Sequence, residues 1–536
     1  MKKKWNIKLD GRGLEQDEII DSLLSSRNIE DLDSFLHPSE DDMLPLEKLH
    51  NIDKAAQVIL DGVDDVDSTF LVYYDTDSDG CTAGSIATRY LEHLGANVFT
   101  YINEKKDHGI KNFDTDLLDD IDIVWIVDSI QDSIEPYKRF LDKNVQIVIT
   151  DHHLIEDKLR KEMENCGIVL VSSAVDYENS TLSGSCVTWK LCQYMDYINL
   201  DDFSDGLIDL AATGLVADMS SMASPENRAI CDKAFKNLKN PGIKKINGGY
   251  AFVSRNISFG IAPKINAANR VNHNDLAMNV FLSDDEDEIA EIVKGLNKCR
   301  EEQNAVVDSI MPSLEEQAQE QLDNKCMFFF IPDDVEASVS GLIGNKLLER
   351  YNRPLLVLKK YGDEFSGSMR AIGVKSFKEY CDRTGICWCS GHENAAGIGI
   401  PISQFEEFKK AILAELADVE FVCETSADIQ LDVEQVTDGL IRGLNALNRI
   451  SGTDFEPITV MIETDDYEVG NMSKGKHLKI IDNNTGMIFV KWNYNGSWDF
   501  SGTFKAIGTL EKAHYGRNDY LQLTIQDFKV DKEEEL

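Results

Sequence analysis

Between residues 68 and 172 the chain repeats one pattern, a short apolar run rich in Val and Ile followed by a more polar stretch. The runs are STFLVYY (68–74), NVFTYI (97–102), DIVWIVDS (122–129), VQIVITDHH (145–153) and GIVLVS (167–172). Runs without polar alternation suit strands covered on both faces, and helices between them make those strands parallel. CTAGSIATRYLEHLG, from Cys81, reads as the first such helix. The expected class is α/β, with ligands bound beyond the carboxyl ends of the strands.

Those ends are crowded with ionisable groups. Asp75, Asp77 and Asp79 follow the first run, Asp128 ends the third, and Asp151, His152 and His153 end the fourth. Asp218 closes a further apolar segment, LAATGLVAD. Singly, each has an ordinary use: an acidic turn, a helix N-cap at Asp128, an incidental histidine pair. A parallel sheet, however, delivers all its strand ends to one edge. Carboxylates brought together there raise one another's pKa unless a cation compensates them. Oxygen donors with one or two imidazoles and no thiolate suit Mn²⁺ or Mg²⁺. The donors are too many for one ion and enough for two. Such a centre activates water and clamps a phosphate for hydrolysis.

With 536 residues the chain exceeds one core. The expected divisions are an acidic, helical N-terminal segment (1–50), the first α/β domain (51–282), a linking helix (283–325), a smaller α/β domain (326–420) and an all-β module (421–536). In the linking helix, Ser283 and Glu286 suggest a capping box. Ile289, Ile292, Val293, Leu296, Val306, Val307 and Ile310 recur at helical spacing, and Pro312 should end or kink the run. CMFFFIP and PLLVLKK read as strands of the smaller domain. PITVMIE, GKHLKII, GMIFVKW, FKAIGTLEK and YLQLTIQDFKV alternate as short strands of a small barrel-like module.

The net charge of -41 argues against a polyanionic partner until its distribution is considered. From 228 to 270 the basic residues are Arg228, Lys233, Lys236, Lys239, Lys244, Lys245, Arg255, Lys264 and Arg270, against the single acid Asp232. A weaker excess from 346 to 383 carries Lys346, Arg353, Lys359, Lys360, Arg370, Lys375 and Lys378. These islands suit a phosphate track. Eleven cysteines, scattered singly apart from Cys387 and Cys389, show no zinc-ribbon spacing and read as reduced thiols of a cytoplasmic protein. No apolar run reaches the roughly 20 residues of a membrane span. MKKKWNIKLD lacks the apolar stretch of a secretory signal.

DTDSDG, VDS, TDHH and GLVADM, in this order, resemble the four motifs of the DHH phosphoesterase superfamily. SFLHPSEDDMLPLEKLHNIDKAAQVI, FGIAPKINAANR, GLIGNKLLERYNRPLLVL, GSMR and SGHENAAGIGI resemble segments of its RecJ exonuclease family, which has DHH, DHHA1 and OB-type domains. GKHLKI sits where that family has its OB-type barrel.

The resemblance implies metal ligation by Asp75, Asp77, Asp79, Asp128, His152 and Asp218, with Asp77, Asp128, His152 and His153 at the heart of catalysis. It implies contacts to substrate phosphates from Lys105, Asn266, Arg270, Ser368, Arg370 and His392. The implied activity is metal-dependent 5′→3′ hydrolysis of single-stranded DNA in recombination, repair or replication. A hydrolase of short oligonucleotides or cyclic dinucleotides, or an inactive replication scaffold, is the alternative. The expected partner is single-stranded DNA, with a single-strand-binding protein as a second; the expected state is monomeric. Asn269 and Ser390 stand where the family has glycines, and Lys105 stands near the place of an arginine.

Overall fold

The computed structural model describes residues 2–29, 32–103, 109, 110, 113, 120–472, 476–492, 494, 500–515 and 518–531. The chain divides into two units. One comprises Asp31–Glu302 with Leu447–Pro457, and the other Met1–Glu30, Gln303–Ala446 and Ile458–Leu536.

In the first unit a five-stranded parallel sheet is ordered Asn97–Ile102, Thr69–Tyr74, Ile123–Val127, Gln146–Asp151, Val169–Ser172. Every residue of Thr69–Tyr74 and Ile123–Val127 is buried, as their unbroken apolar sequences require. Asn97–Ile102 is an edge strand, with Asn97 and Phe99 exposed and its other residues half-buried. The helices Ser78–His93, Gly184–Asn199 and Ile208–Ala217 pack on one another. From Thr69–Tyr74 the chain moves to one side of the sheet and then returns to the other. The crevice between Thr69–Tyr74 and Ile123–Val127 is therefore the switch point at which such sheets bind ligands.

Three expectations about this unit change. The first helix begins at Ser78 rather than Cys81, because Asp77 caps it, accepting the Gly80 N–H at 3.0 Å. LAATGLVAD is a helix, and Asp218 is its C-cap rather than a strand end. A continuous apolar run does not distinguish a buried strand from a buried helix, and Ile208–Val216 is buried on every side. Asp128 caps no helix: it takes the left-handed conformation (φ 53°), and the next helix starts at Glu135.

The linking helix spans Glu286–Gln319 and runs through Pro312. Proline removes one backbone donor there, while Ile310 and Leu314 on either side are held in a core with Phe329 and Leu347. The N-cap is Asp285, which accepts the backbone N–H groups of Asp287 and Glu288, rather than Ser283. Ser283 donates instead to Glu288 at 2.6 Å. Val306 is exposed and Val307 buried.

The second unit holds two sheets. A five-stranded sheet is ordered Trp388–His392, Ala395–Pro401, Glu364–Arg370, Leu355–Tyr361, Met327–Phe330, and only the last pair is parallel. An eight-stranded sheet gathers the C-terminal strands. Its edge is Lys2–Asp10, paired in parallel with Val422–Leu431. The first ten residues are thus strand, not the start of a helical segment. KKKWNIKLD places Trp5, Ile7 and Leu9 at alternate positions, a period of two that the surrounding charge obscures. No helix among the described residues is long and apolar enough to cross a membrane.

Candidate metal centre

Strand ends and helix ends meet at the switch point. Three overlapping groups of side chains have ligand atoms within 4.8 Å of one another: Asp75, Asp77 and Asp128; Asp128, His152 and His153; Asp79, His152 and Asp218. The six residues expected as ligands are therefore gathered in one place. The His152 ring stands 3.3 Å from Asp128 by Nε2 and 3.8 Å from Asp218 by Nδ1.

The surrounding chain fixes these groups. Asp79, in the first turn of Ser78–His93, accepts the N–H groups of Gly184 and Ser185 at 2.7 and 3.1 Å, at the N-terminus of the helix Gly184–Asn199. The helix dipole favours its charge there. Asn266 accepts both the N–H and the hydroxyl of Ser78 at 3.1 Å, which anchors the aspartate loop. Two glycines make room for the acids. A Cβ on Gly184 would lie 2.6 Å from Asp128 Oδ1, and one on Gly214 would lie 2.2 Å from Asp79 Oδ1.

Gly184, Gly214 and the anchoring role of Asp151 were not evident in the sequence. Asp151 is fully buried and accepts the Ile130 N–H at 2.8 Å, the His153 N–H at 2.7 Å and His153 Nδ1 at 2.9 Å. Its position at the head of the Asp-His-His triplet was the available signal.

The electrostatics of the site favour positive charge. Burial, then repulsion from Asp79, Asp77, Asp151 and Asp75, holds the Asp128 carboxyl far above the usual carboxylate range. Asp79 is raised by burial, and Asp218 is pushed up to about 8, first by burial and then by Asp79 and Asp77. Burial also acts to raise Asp151, but hydrogen bonds and charge from His153, aided by His152, outweigh it and hold the group low. Burial acts against the His153 cation, yet Asp151, Asp218 and Asp75 raise it to about 9. Among the described residues Asp128 Oδ1 is buried and accepts no hydrogen bond. A buried carboxylate oxygen with no hydrogen bond, beside Asp75, Asp77, Asp79, Asp151 and Asp218, fits a hard divalent cation. The nearby Cys81 thiol is pushed up by burial and stays neutral, so the donor set is oxygen and imidazole, as Mn²⁺ or Mg²⁺ prefers.

Gly184→Ala tests this packing. The new methyl must displace Asp128, and a misplacement near 1 Å can cost about a hundredfold in rate. Both Mn²⁺ affinity and hydrolysis are expected to fall, although alanine is the better helix former. Unchanged titration and turnover would contradict the close approach.

The residues expected on substrate phosphates divide. Lys105 lies outside the described residues. Asn266 faces the aspartate loop, and Arg270 is half-buried in the last turn of Ala262–Arg270. Ser368, Arg370 and His392 belong to the other unit, where strand register sets Arg370 and His392 on either side of Ala395 and Ser368 opposite Gly397. Arg370 is held by Asn345 (Nε–Oδ1 2.8 Å) and passes so close to Gly341 that a Cβ there would lie 2.7 Å from Nη2. Asn269 is buried with its amide 3.7 Å from Cys81 Sγ.

The basic islands are smaller than the sequence suggested. Arg228 is buried over the Phe35 ring at 3.5 Å and donates to the Ile450 carbonyl. Lys233 pairs with Glu40 and Asp205, and Lys236 with Asp232. In the second island Lys346 pairs with Asp308, and Arg353 and Lys359 bind backbone carbonyls. Those charges serve the fold.

Residues 69–215 match the DHH family, N-terminal domain. Over a longer stretch the chain is similar to proteins named as single-strand DNA-specific exonucleases. It is 28% identical over 434 residues to Bacillus subtilis YorK, a prophage-derived protein named as a single-strand DNA-specific exonuclease, covering 74% of each chain. It is 24% identical over 456 residues to the single-stranded-DNA-specific exonuclease RecJ of the same organism, covering 80% of this chain and 57% of that one. Its fold matches the crystal structure of Thermus thermophilus RecJ in complex with Mn²⁺ with a TM-score of 0.80 at 20% identity, over 99% of this chain and 80% of that one.

Proposed function

We propose that this chain is a metal-dependent exonuclease that hydrolyses single-stranded DNA, in the 5′→3′ direction. The observation that carries the proposal is the overlap of the ligand groups: Asp128 and His152 each belong to two of the three. Shared donors suit two adjacent ions better than one. The names of the RecJ relatives support the substrate class.

Asp75, Asp77, Asp79, Asp128, His152 and Asp218 would hold two Mn²⁺ or Mg²⁺ ions, which supply the positive charge that stabilises a phosphate undergoing displacement. The protein's own groups then position the substrate. His153, kept cationic and oriented by Asp151, offers Nε2–H to a non-bridging phosphate oxygen. Asn266 keeps the aspartate loop in register by its two bonds to Ser78. Ser368, Arg370 and His392 bind backbone phosphates, with the arginine fork as the strongest donor. A cytoplasmic location, a monomeric state and a single-strand-binding protein as companion belong to the same proposal.

The direct test is digestion of 5′- and 3′-labelled single strands, duplex DNA and a dinucleotide, with Mn²⁺ or with EDTA. Single strands should shorten from the 5′ end only with metal. Preference for the dinucleotide would point to a small-substrate hydrolase instead. Arg370→Ala adds a second expectation. Losing a charged hydrogen bond costs about 1.5–3 kcal/mol, so strand digestion should fall at least roughly tenfold. Calorimetric Mn²⁺ titration should be unchanged in that variant, whereas undiminished digestion would remove Arg370 from the phosphate track.

A further inference from the structure

The turn that presents Asp218 is held by a segment far away in sequence. Asp218 is the C-cap of the helix Ile208–Ala217, and the chain leaves through Met219 in the left-handed conformation (φ 60°). The Met219 N–H donates to the Val216 carbonyl at 3.3 Å and the Ser220 N–H to the Leu215 carbonyl at 3.2 Å, the bond pattern of a Schellman ending. Glycine is usual at the left-handed position, where a methionine is crowded by its own Cβ. Met219 is also 67% exposed, so burial of its side chain does little to offset that cost. Such strain persists where neighbouring structure over-determines it.

That structure is Leu447–Pro457, which belongs to this unit while the chain on either side of it belongs to the other. Thr453 forms a parallel bridge with Ser221, and its carbonyl accepts the Met222 N–H at 2.8 Å. A Cβ on Gly452 would meet Met222 Cγ at 3.0 Å. Gly452 and Phe455 exchange backbone hydrogen bonds at 2.9 and 3.2 Å, which close the segment into a tight turn. Phe455 is buried, its ring 4.9 Å from that of Phe35. The buried Arg228 guanidinium donates both to the Ile450 carbonyl at 2.9 Å and to the Met222 carbonyl at 3.4 Å, and Arg449 pairs with Asp232. Such packing could serve stability alone. Its bonds, however, fall on the residues that follow Asp218, and between them the Ser220 hydroxyl donates to Asp218 Oδ2 at 3.4 Å.

We propose that Leu447–Pro457 is a positioning element of the metal centre: by fixing Ser221 and Met222 it holds the strained turn at Met219 and so sets the place of Asp218. Its residues act through that turn rather than as ligands. The inference rests on the two-ion reading of the site. Asp218 belongs with Asp79 and His152, whereas Asp75, Asp77 and Asp128 form a separate group. Loosening the segment should therefore weaken one ion and spare the other, which a general loss of stability would not do.

The test titrates the full-length protein with Mn²⁺, reading free Mn²⁺ by electron paramagnetic resonance. The wild type should bind two ions. Phe455→Ala removes the anchor, and Gly452→Val presses on Met222 instead of removing packing. Each variant should keep one ion at wild-type affinity and bind the other at least roughly tenfold more weakly, as for loss of a group that orients a ligand. Thr453→Ala keeps the carbonyl and should bind both ions as the wild type does. A second measurement needs no metal: amide hydrogen exchange in residues 215–224 should rise in Phe455→Ala and Gly452→Val while that in residues 69–84 is unchanged. Both ions bound normally by the two variants, both weakened equally, or unaltered exchange in 215–224 would overturn the proposal. A wild type that binds fewer than two ions would count against the two-ion reading, and exchange would still decide whether the segment holds the turn.

Discussion

Replacing Asp128 with alanine is expected to reduce hydrolysis of single strands below about one-hundredth of the wild-type rate while the fold persists. Loss of a residue that merely supports a metal ligand costs ten- to a hundredfold, so loss of a shared ligand should cost more. Asp128 belongs to two of the three ligand groups, and its carboxyl is the one most burdened by its neighbours. Alanine relieves that repulsion, so stability without metal should hold or rise even as activity disappears. Asp77→Ala should behave similarly in activity, with some loss of stability because Asp77 also caps the helix Ser78–His93. Digestion of labelled strands beside circular dichroism and thermal melting checks both expectations. Near-native turnover in a folded Asp128→Ala protein would contradict the metal assignment.

Metal removal should make stability depend on pH with a definite sign. Asp79, Asp128 and Asp218 have raised carboxyl pKa values in the folded, metal-free state, Asp218 reaching about 8. The folded protein therefore holds protons that the unfolded chain releases once pH exceeds about 4. Stability from these groups is full below that pH and is lost as pH rises toward 8. His153, raised to about 9, acts in the same direction from about 6.5 upward. Asp151 titrates lower and contributes below this window. Divalent ions replace those protons, so Mn²⁺ should raise the melting temperature more at pH 8 than at pH 5.5, relative to EDTA. Asp218→Asn should flatten the decline seen in EDTA. A metal-induced shift equal at the two pH values would contradict the electrostatic account.

The parallel sheet was legible because its strands are unbroken apolar runs, and burial on both faces writes that pattern directly. The acids of the centre were legible for a related reason: charge at the end of such a run has no ordinary core use. Asp218 was expected among these acids as the close of an apolar segment; it reaches them from the end of a helix, and LAATGLVAD has the composition of either a buried strand or a buried helix. The N-terminal strand escaped notice because its partner, Val422–Leu431, lies some four hundred residues away and only pairing reveals it. Gly184 and Gly214 carry no signal of their own. Their importance is the space a missing methyl leaves beside Asp128 and Asp79, which exists only once helices have packed. The basic islands failed in the opposite sense, for sequence counts charge but does not say that Arg228 lies over Phe35 or that Lys233 is paired with Glu40 and Asp205.

The central claim is that these acids and imidazoles hold two divalent ions side by side. Crystals equilibrated with Mn²⁺ and measured at the manganese absorption edge test it most directly. Two anomalous peaks roughly 3.5–4 Å apart are predicted, one bounded by Asp75, Asp77 and Asp128 and the other by Asp79, His152 and Asp218, whereas no peak within this cluster in Mn²⁺-saturated crystals would contradict it.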